Sequence, residues 1–71
     1  MTSVTPNELY RGDRFMEDTY PEIWEVIGPG RQCGIRARVV GYLEGFPGKP
    51  DRLGEESDWW GEGMTLYLLR H

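Results

Sequence analysis

Cysteine and histidine are nearly absent from this sequence, which excludes the usual covalent and metal-based ways of stabilising a small domain. The one cysteine, Cys33, cannot form a disulfide within the chain, and with the one histidine, His71, it cannot complete a Cys/His zinc site. The 71 residues make one domain that relies on its apolar core, so we expect modest stability. A lone cysteine is typical of a reducing compartment, and we therefore predict a cytoplasmic protein.

Long apolar segments and an excess of basic residues are lacking as well. No apolar run approaches the roughly 18 residues of a membrane span. Residues 1–13 have neither the basic nor the apolar region of a signal peptide. We therefore expect no membrane association and no secretion signal. The net charge is −4, whereas general nucleic-acid binders usually carry a basic excess, so protein is favoured over nucleic acid as the partner.

Side chains with the spacing of a catalytic or metal-binding constellation are lacking too. His71 stands at the end of the sequence, where fraying makes a poor platform for a general base, and no histidine is placed beside Ser57. The carboxylates of residues 51–62 lack the alternating spacing and central glycine of an EF-hand loop. We therefore predict that the protein is not an enzyme and that it binds no metal or other cofactor.

What the sequence does contain is a series of short β-type segments separated by turns. Residues 5–8 (TPNE) have the form of a capping box with proline at the first helical position, which predicts a short helical turn over about residues 6–10. Residues 28–31 (GPGR) are a strong turn signal between two strands. The predicted strands are residues 10–16, 22–27, 33–43 and 64–69.

The third predicted strand has the clearest alternation. Apolar residues at positions 35, 37 and 39 alternate with Arg36 and Arg38, which is the period of a strand buried on one face. The two arginines should therefore stand side by side on the exposed face. Their expected cross-strand partners are acids on neighbouring strands: Glu17, Glu22 and Glu25.

Together these segments predict an all-β domain that spans residues 1–71. We expect a small, strongly bent antiparallel sheet or a partly open barrel of about four to five strands, with the short helical turn near its N-terminus. Residues 1–5 should be frayed, and residues 44–63 should form one long acidic loop. Part of that loop could pair as a strand through Trp59 and Trp60.

Three segments resemble the opening strands of small SH3-like β-barrels. They are residues 9–15 (LYRGDRF), 24–27 (WEVI) and 35–40 (IRARVV), all within residues 1–43. The resemblance implies a barrel-like fold only, because one fold hosts many unrelated functions. The acidic and aromatic loop signatures of peptide-binding SH3 domains are missing, so no ligand and no binding residue follows from the resemblance.

The stretch GEESDWWGEG, residues 54–63, places Trp59 and Trp60 among acidic residues. Residues 51–62 contain five acids and one arginine, so this segment alone accounts for the net charge of −4. On a strand, the two adjacent rings would point to opposite faces, one buried and one exposed. In an irregular loop, both rings could pack inward or both could project. Because tryptophan is enriched in interface hot spots, an exposed ring here is a candidate anchor.

The leading hypothesis is therefore a non-enzymatic protein-binding module. Its contact surface would be the 44–63 loop, with Trp59 or Trp60 and Phe46 as apolar anchors. Four acids would form a rim that favours a partner with a basic surface: Glu55, Glu56, Asp58 and Glu62. An acidic surface of this kind would also suit a small phage or mobile-element inhibitor of a host nucleic-acid-handling protein.

Two alternatives belong to other classes of protein. Small barrels can bind single-stranded nucleic acid by combining a positive groove with stacking aromatics, and Arg31, Arg36 and Arg38 would supply the charge here. The other alternative is a structural or assembly subunit that associates with its own copies. Exposed apolar residues such as Val40 and Leu69 would then lie in the interface.

Overall fold

Six strands and one short 3₁₀ turn make up the regular structure in the described part of the chain. The structure is a computed structural model that describes residues 2–18, 20–44, 52–61 and 64–69. The strands are β1 (Thr2–Val4), β2 (Arg14–Glu17), β3 (Glu22–Pro29), β4 (Ile35–Tyr42), β5 (Glu56–Trp59) and β6 (Leu66–Leu69). The 3₁₀ turn, Pro6–Glu8, follows the predicted capping box, in which Glu8 Oε1 accepts a hydrogen bond from the Thr5 backbone N–H (3.0 Å).

The strands form one antiparallel sheet in the order β1-β6-β2-β3-β4-β5, and the sheet curls into a half-barrel. Register shifts between β3 and β4, at Ile23/Trp24 and Val26/Gly28, are the kind of irregularity that bends and twists a strand pair. The predicted all-β class and strongly bent antiparallel sheet are confirmed, and the architecture is consistent with the SH3-like resemblance. The expected count of four to five strands is too low, because the described residues contain six.

The additional strand comes from the segment that was expected to be frayed. β1 pairs with β6, with Thr2 opposite Leu68 and Val4 opposite Leu66. The Val4 side chain is buried in the core, so pairing and burial together hold this segment in place. A strand of three residues is too short to show an alternating pattern in the sequence, which is why residues 1–5 were not predicted to pair.

The segment predicted as one long acidic loop, residues 44–63, also contains a strand. β5 pairs with the first half of β4, with Ile35 opposite Trp59 and Arg38 opposite Glu56. Residues 45–51 and 62–63 lie outside the described residues. The strand starts three residues before the tryptophan pair, so Trp59 enters the sheet instead of a loop.

An aromatic cluster at the centre of the core connects three of the strands. The Trp59 ring lies 5.3 Å from the Phe15 ring and 5.0 Å from the Trp24 ring, centroid to centroid, and both contacts are edge-to-face. Such pairs contribute about 0.5–1.5 kcal/mol each beyond the area they bury. Since Phe15 is on β2 and Trp24 is on β3, the cluster ties β5 to strands that it does not hydrogen-bond. The remaining core residues are Val4, Leu9, Val26, Ile35, Ala37, Val39 and Leu66.

We predict that Trp59→Ala destabilises the protein by about 3–5 kcal/mol, because it leaves a large cavity beside Phe15 and Trp24. For a small domain this is comparable with the whole free energy of unfolding, roughly 5 kcal/mol. The matched control is Trp60→Ala, which removes an equally large side chain from the neighbouring position and should change stability by about 0.5 kcal/mol or less. Urea unfolding followed by far-ultraviolet circular dichroism measures both. Equal destabilisation by the two substitutions would contradict the central position of Trp59.

Candidate functional site

The two adjacent tryptophans lie on opposite faces of the sheet. Trp59 is 7% exposed and Trp60 is 58% exposed, as expected for consecutive residues at a strand end. Trp59 belongs to the core, as predicted for one ring of the pair in the case that the pair is carried by a strand. Trp59 is therefore unsuited to be a surface anchor, and Trp60 is the candidate contact residue.

Trp60 forms one wall of a cleft beside the turn between β3 and β4. The cleft has a volume of ≈ 280 Å³ and is lined by Arg31, Gln32, Cys33, Asp58 and Trp60. Cys33 is a free, exposed thiol at its edge. A large aromatic wall, a cationic side chain and a turn backbone thus face the same space.

One hydrogen bond closes this turn, a second joins it to β5, and a glycine lets it lie close to that strand. The Gly30 N–H donates to the Gly34 carbonyl (3.0 Å), and the Arg31 N–H donates to Asp58 Oδ2 (3.1 Å). Gly34 has a φ of +73°, and a Cβ at this position would collide with the carbonyl oxygen of Trp59. Only glycine allows the turn to approach β5 this closely next to the cleft.

Gly34→Ala should destabilise the protein by more than about 1–2 kcal/mol, the usual cost of a left-handed conformation for a residue with a Cβ, because the collision adds to that cost. Gly41→Ala is the control, since a Cβ at that strand position meets no atom within 4 Å and its φ is not positive. Urea unfolding and the NMR shift of the Trp60 indole N–H report stability and cleft geometry. Identical behaviour of the two variants would contradict the close approach.

The acidic residues of β5 are bound by an arginine of the neighbouring strand. Arg36 Nη1 lies 2.7 Å from Asp58 Oδ1, and Arg36 Nε lies 3.1 Å from Glu56 Oε1. Arg36 is directly opposite Asp58 in the sheet register, which explains the short contact. The acidic rim of one sequence-based hypothesis and an arginine of the other therefore pair with each other. The expected partners of Arg36 among Glu17, Glu22 and Glu25 were wrong.

Arg52 forms a second cluster on the other side of β5. Its Nη2 lies 3.0 Å from Glu55 Oε1, and its Nη1 forms an ion pair with Glu22. The Arg52 backbone N–H donates to the Tyr42 hydroxyl (3.1 Å), and the guanidinium carbon lies 5.7 Å from the centroid of the Trp24 ring. Glu22 is 5% exposed, so its burial depends on this pairing. Arg52, which the sequence did not single out, thus fixes the residues that lead into β5.

The nucleic-acid hypothesis named three arginines, and not all of them are free to contact a phosphate. Arg36 and Arg38 lie on the outer face of β4, where the burial alternates along the strand. Arg36 is engaged by two carboxylates, whereas Arg38 and Arg31 form no ion pair within the described residues. Phe46 and Glu62, which were expected as an anchor and a rim residue, lie outside the described residues.

Hydrogen bonding lowers the pKa of two carboxyl groups at this site. The Arg36 guanidinium, and then the Arg31 backbone N–H, hold the pKa of Asp58 below its ordinary value. The Arg52 guanidinium lowers the pKa of Glu55 in the same way. Both shifts favour the charged form of the carboxyl group, so the ion pairs persist to lower pH than ordinary carboxyl pKa values would allow.

The lowered pKa of Asp58 predicts how stability changes with pH. The ordinary pKa in the unfolded chain is about 3.9, so the contribution of Asp58 is present above about pH 4 and is lost as the pH falls through its folded-state value. We expect Asp58→Asn to be less stable than the wild type at neutral pH and the difference to shrink below about pH 4. Arg36→Gln should return the Asp58 pKa toward its ordinary value in a carboxyl NMR titration. An unchanged Asp58 pKa in Arg36→Gln would contradict the assigned cause.

Comparisons with protein-family models, with curated proteins and with solved structures gave no match for this chain. Within the described residues, no helix is long and apolar enough to cross a membrane. The same residues contain no group of three or more His, Cys, Asp or Glu side chains that could hold a metal ion. The candidate site is therefore defined by its own geometry: an exposed tryptophan, a turn and a set of paired charges.

Sequence reasoning missed several parts of this site because they come from distant segments. Arg31, Gln32 and Cys33 face Trp60 although 27 residues separate Arg31 from Asp58, its hydrogen-bond partner. Residues 28–31 (GPGR) predicted a turn here without indicating which strand the turn packs against.

Proposed function

We propose that this protein is a non-enzymatic module that binds another protein through Trp60. The observation that supports this most strongly is a tryptophan left 58% exposed at the wall of a cleft, next to a tryptophan that is buried. Aromatic side chains in such settings are frequent interface hot spots, since they bury a large area at a small loss of conformational freedom.

The contacts that hold β5 and the neighbouring turn in place support a preorganised contact surface around Trp60. β5 is held from within by the Trp59 cluster and on the outside by Arg36, while the opposing turn is held by Asp58. A side chain carried on a rigid element needs less ordering on binding, so more of the contact energy contributes to affinity.

The charges around Trp60 favour a partner with a basic surface, but less strongly than the sequence alone predicts. In the Arg36 and Arg52 clusters together, four carboxylates meet two guanidinium groups, and Arg31 in the cleft adds one more positive charge, which leaves a net charge of −1. A residual charge of this size steers encounter and discriminates against acidic partners more than it adds affinity.

The alternatives from the sequence have less support. Arg36, one of three arginines proposed for nucleic acid, already donates to two carboxylates, so contact with a phosphate would have to compete with them. Val40 and Leu69, proposed for self-association, are half-buried and offer less apolar surface than Trp60.

We expect Trp60→Ala to weaken the affinity for a captured partner about 30-fold or more, which corresponds to roughly 2 kcal/mol of a hot-spot residue. The partner would be captured from a lysate of the source organism with immobilised wild-type protein, and its Kd measured by calorimetry. Leu43→Ala is the matched control: Leu43 is 48% exposed and follows the far end of β4, about 25 Å along the strand from the Trp60 end. Equal affinity of Trp60→Ala and Leu43→Ala would overturn the proposal.

A further inference from the structure

β5 is an edge strand of the half-barrel. In the sheet order it stands last, and among the described residues it pairs with β4 on one side only. An edge strand presents unpaired backbone N–H and C=O groups, which can template pairing with another extended segment. Trp60 follows this strand directly, so the free edge and the exposed ring lie side by side.

The register shows which backbone groups of β5 face away from β4. The Val39 N–H donates to the Glu55 carbonyl (2.9 Å), which marks residues 55 and 39 as a hydrogen-bonded pair. Because such pairs alternate along an antiparallel ladder, Ser57 and Trp59 also face β4. The N–H and C=O groups of Glu56 and Asp58 therefore face the free edge.

The side chains of the edge indicate the chemistry of a segment that would fit there. Glu56 and Asp58 share the outer face with Arg36, to which both are ion-paired, and β5 itself carries no basic residue. The Glu56 side chain is 40% exposed and that of Asp58 is 18% exposed, so Glu56 is the more available of the two. A strand added at this edge would place its own side chains directly beside these carboxylates.

The same charges disfavour a second copy of this chain at the edge. Antiparallel self-pairing of β5 would bring Glu56 and Asp58 of the two copies together, and like charges placed opposite each other are destabilising. Charged residues on an edge strand commonly prevent such self-association. The charges at this edge therefore favour pairing with a basic segment and disfavour pairing with β5 of a second copy of the chain.

We propose that the protein partner adds an extended segment antiparallel to β5, with basic residues opposite Glu56 and Asp58 and an apolar residue opposite Trp60. The proposal rests on the proposed function and deepens it by naming the mode of docking. Antiparallel pairing continues the pattern of the whole sheet. Read from its N-terminus, the partner segment has the pattern apolar-x-basic-x-basic, because the residues opposite Trp60, Asp58 and Glu56 alternate along it.

The test uses a designed peptide of this pattern, acetyl-Thr-Leu-Thr-Lys-Val-Lys-Thr-amide, and the intact protein. In an amide NMR titration we expect the largest shifts at Glu56, Asp58 and Trp60, with increased hydrogen-exchange protection of the Glu56 and Asp58 amides. The decisive control is the same peptide with N-methyl groups on both lysine amides, which keeps the charges and side chains but blocks pairing at the edge. The N-methylated peptide should bind about tenfold more weakly or worse.

Two further variants separate the contribution of backbone pairing to peptide affinity from the contribution of the Glu56 charge. Glu56→Pro removes one outward N–H while leaving the backbone bonds to β4, a substitution that edge strands tolerate. Glu56→Thr keeps that N–H, and both variants remove the carboxylate and its ion pair with Arg36. We expect both to weaken the peptide, and Glu56→Pro to do so more. Since Glu56 is more exposed than Asp58, replacing the peptide lysine opposite Glu56 should cost more affinity than replacing the lysine opposite Asp58.

Several results would overturn the edge proposal. These are equal affinity of the parent and N-methylated peptides, shifts centred away from β5, binding of an oligonucleotide instead of the peptide, or a stable dimer that Glu56→Pro dissociates. With the captured partner, a loss of affinity in Trp60→Ala but none in Glu56→Pro would overturn the edge proposal and leave the proposed function standing. No loss in either variant would overturn both.

Discussion

The packing of Trp59 between Phe15 and Trp24 is the interaction on which the rest of this half-barrel depends. It attaches β5, which hydrogen-bonds only β4 among the described strands, to the inner face of β2 and β3. Because consecutive strand residues point to opposite faces, burying this ring directs Trp60 outward. The same alternation places Glu56 and Asp58 on the outer face, beside Arg36. One buried side chain thus arranges the whole candidate surface.

That surface brings together two features that are remote in the sequence. Arg36 is separated from Glu56 and Asp58 by 20 and 22 residues, and cross-strand pairing makes them neighbours. The pairing reduces the net charge of both segments and orders their side chains, so the outer face of β4 and β5 is mixed in charge instead of acidic or basic. What remains distinctive is the free strand edge and the exposed ring next to it. Recognition through these groups would depend on backbone geometry and shape, with charge mainly selecting the partner.

Much of the fold could be predicted from local patterns. The alternation over residues 35–40 predicted β4 and the outward position of its arginines, and residues 28–31 (GPGR) predicted a turn before it, although β3 continues to Pro29 and β4 begins only at Ile35. The start of β2 was placed too early, because Tyr10 and Asp13 form a turn in which the Tyr10 N–H donates to Asp13 Oδ2 (2.8 Å). β1 and β5 were harder to predict, since each is short and is held by partners far away in the chain.

The sequence by itself determined that the chain is a small all-β domain, that one of two adjacent tryptophans is buried if they lie on a strand, and that one segment carries the net negative charge. Those properties follow from composition and from a period of two, which are local. Only the tertiary structure decided which tryptophan is buried, which arginines neutralise the acids and which strand is left at the edge. These depend on register and on contacts between distant strands, and a shift of one residue in the β4–β5 register would exchange the buried and exposed faces.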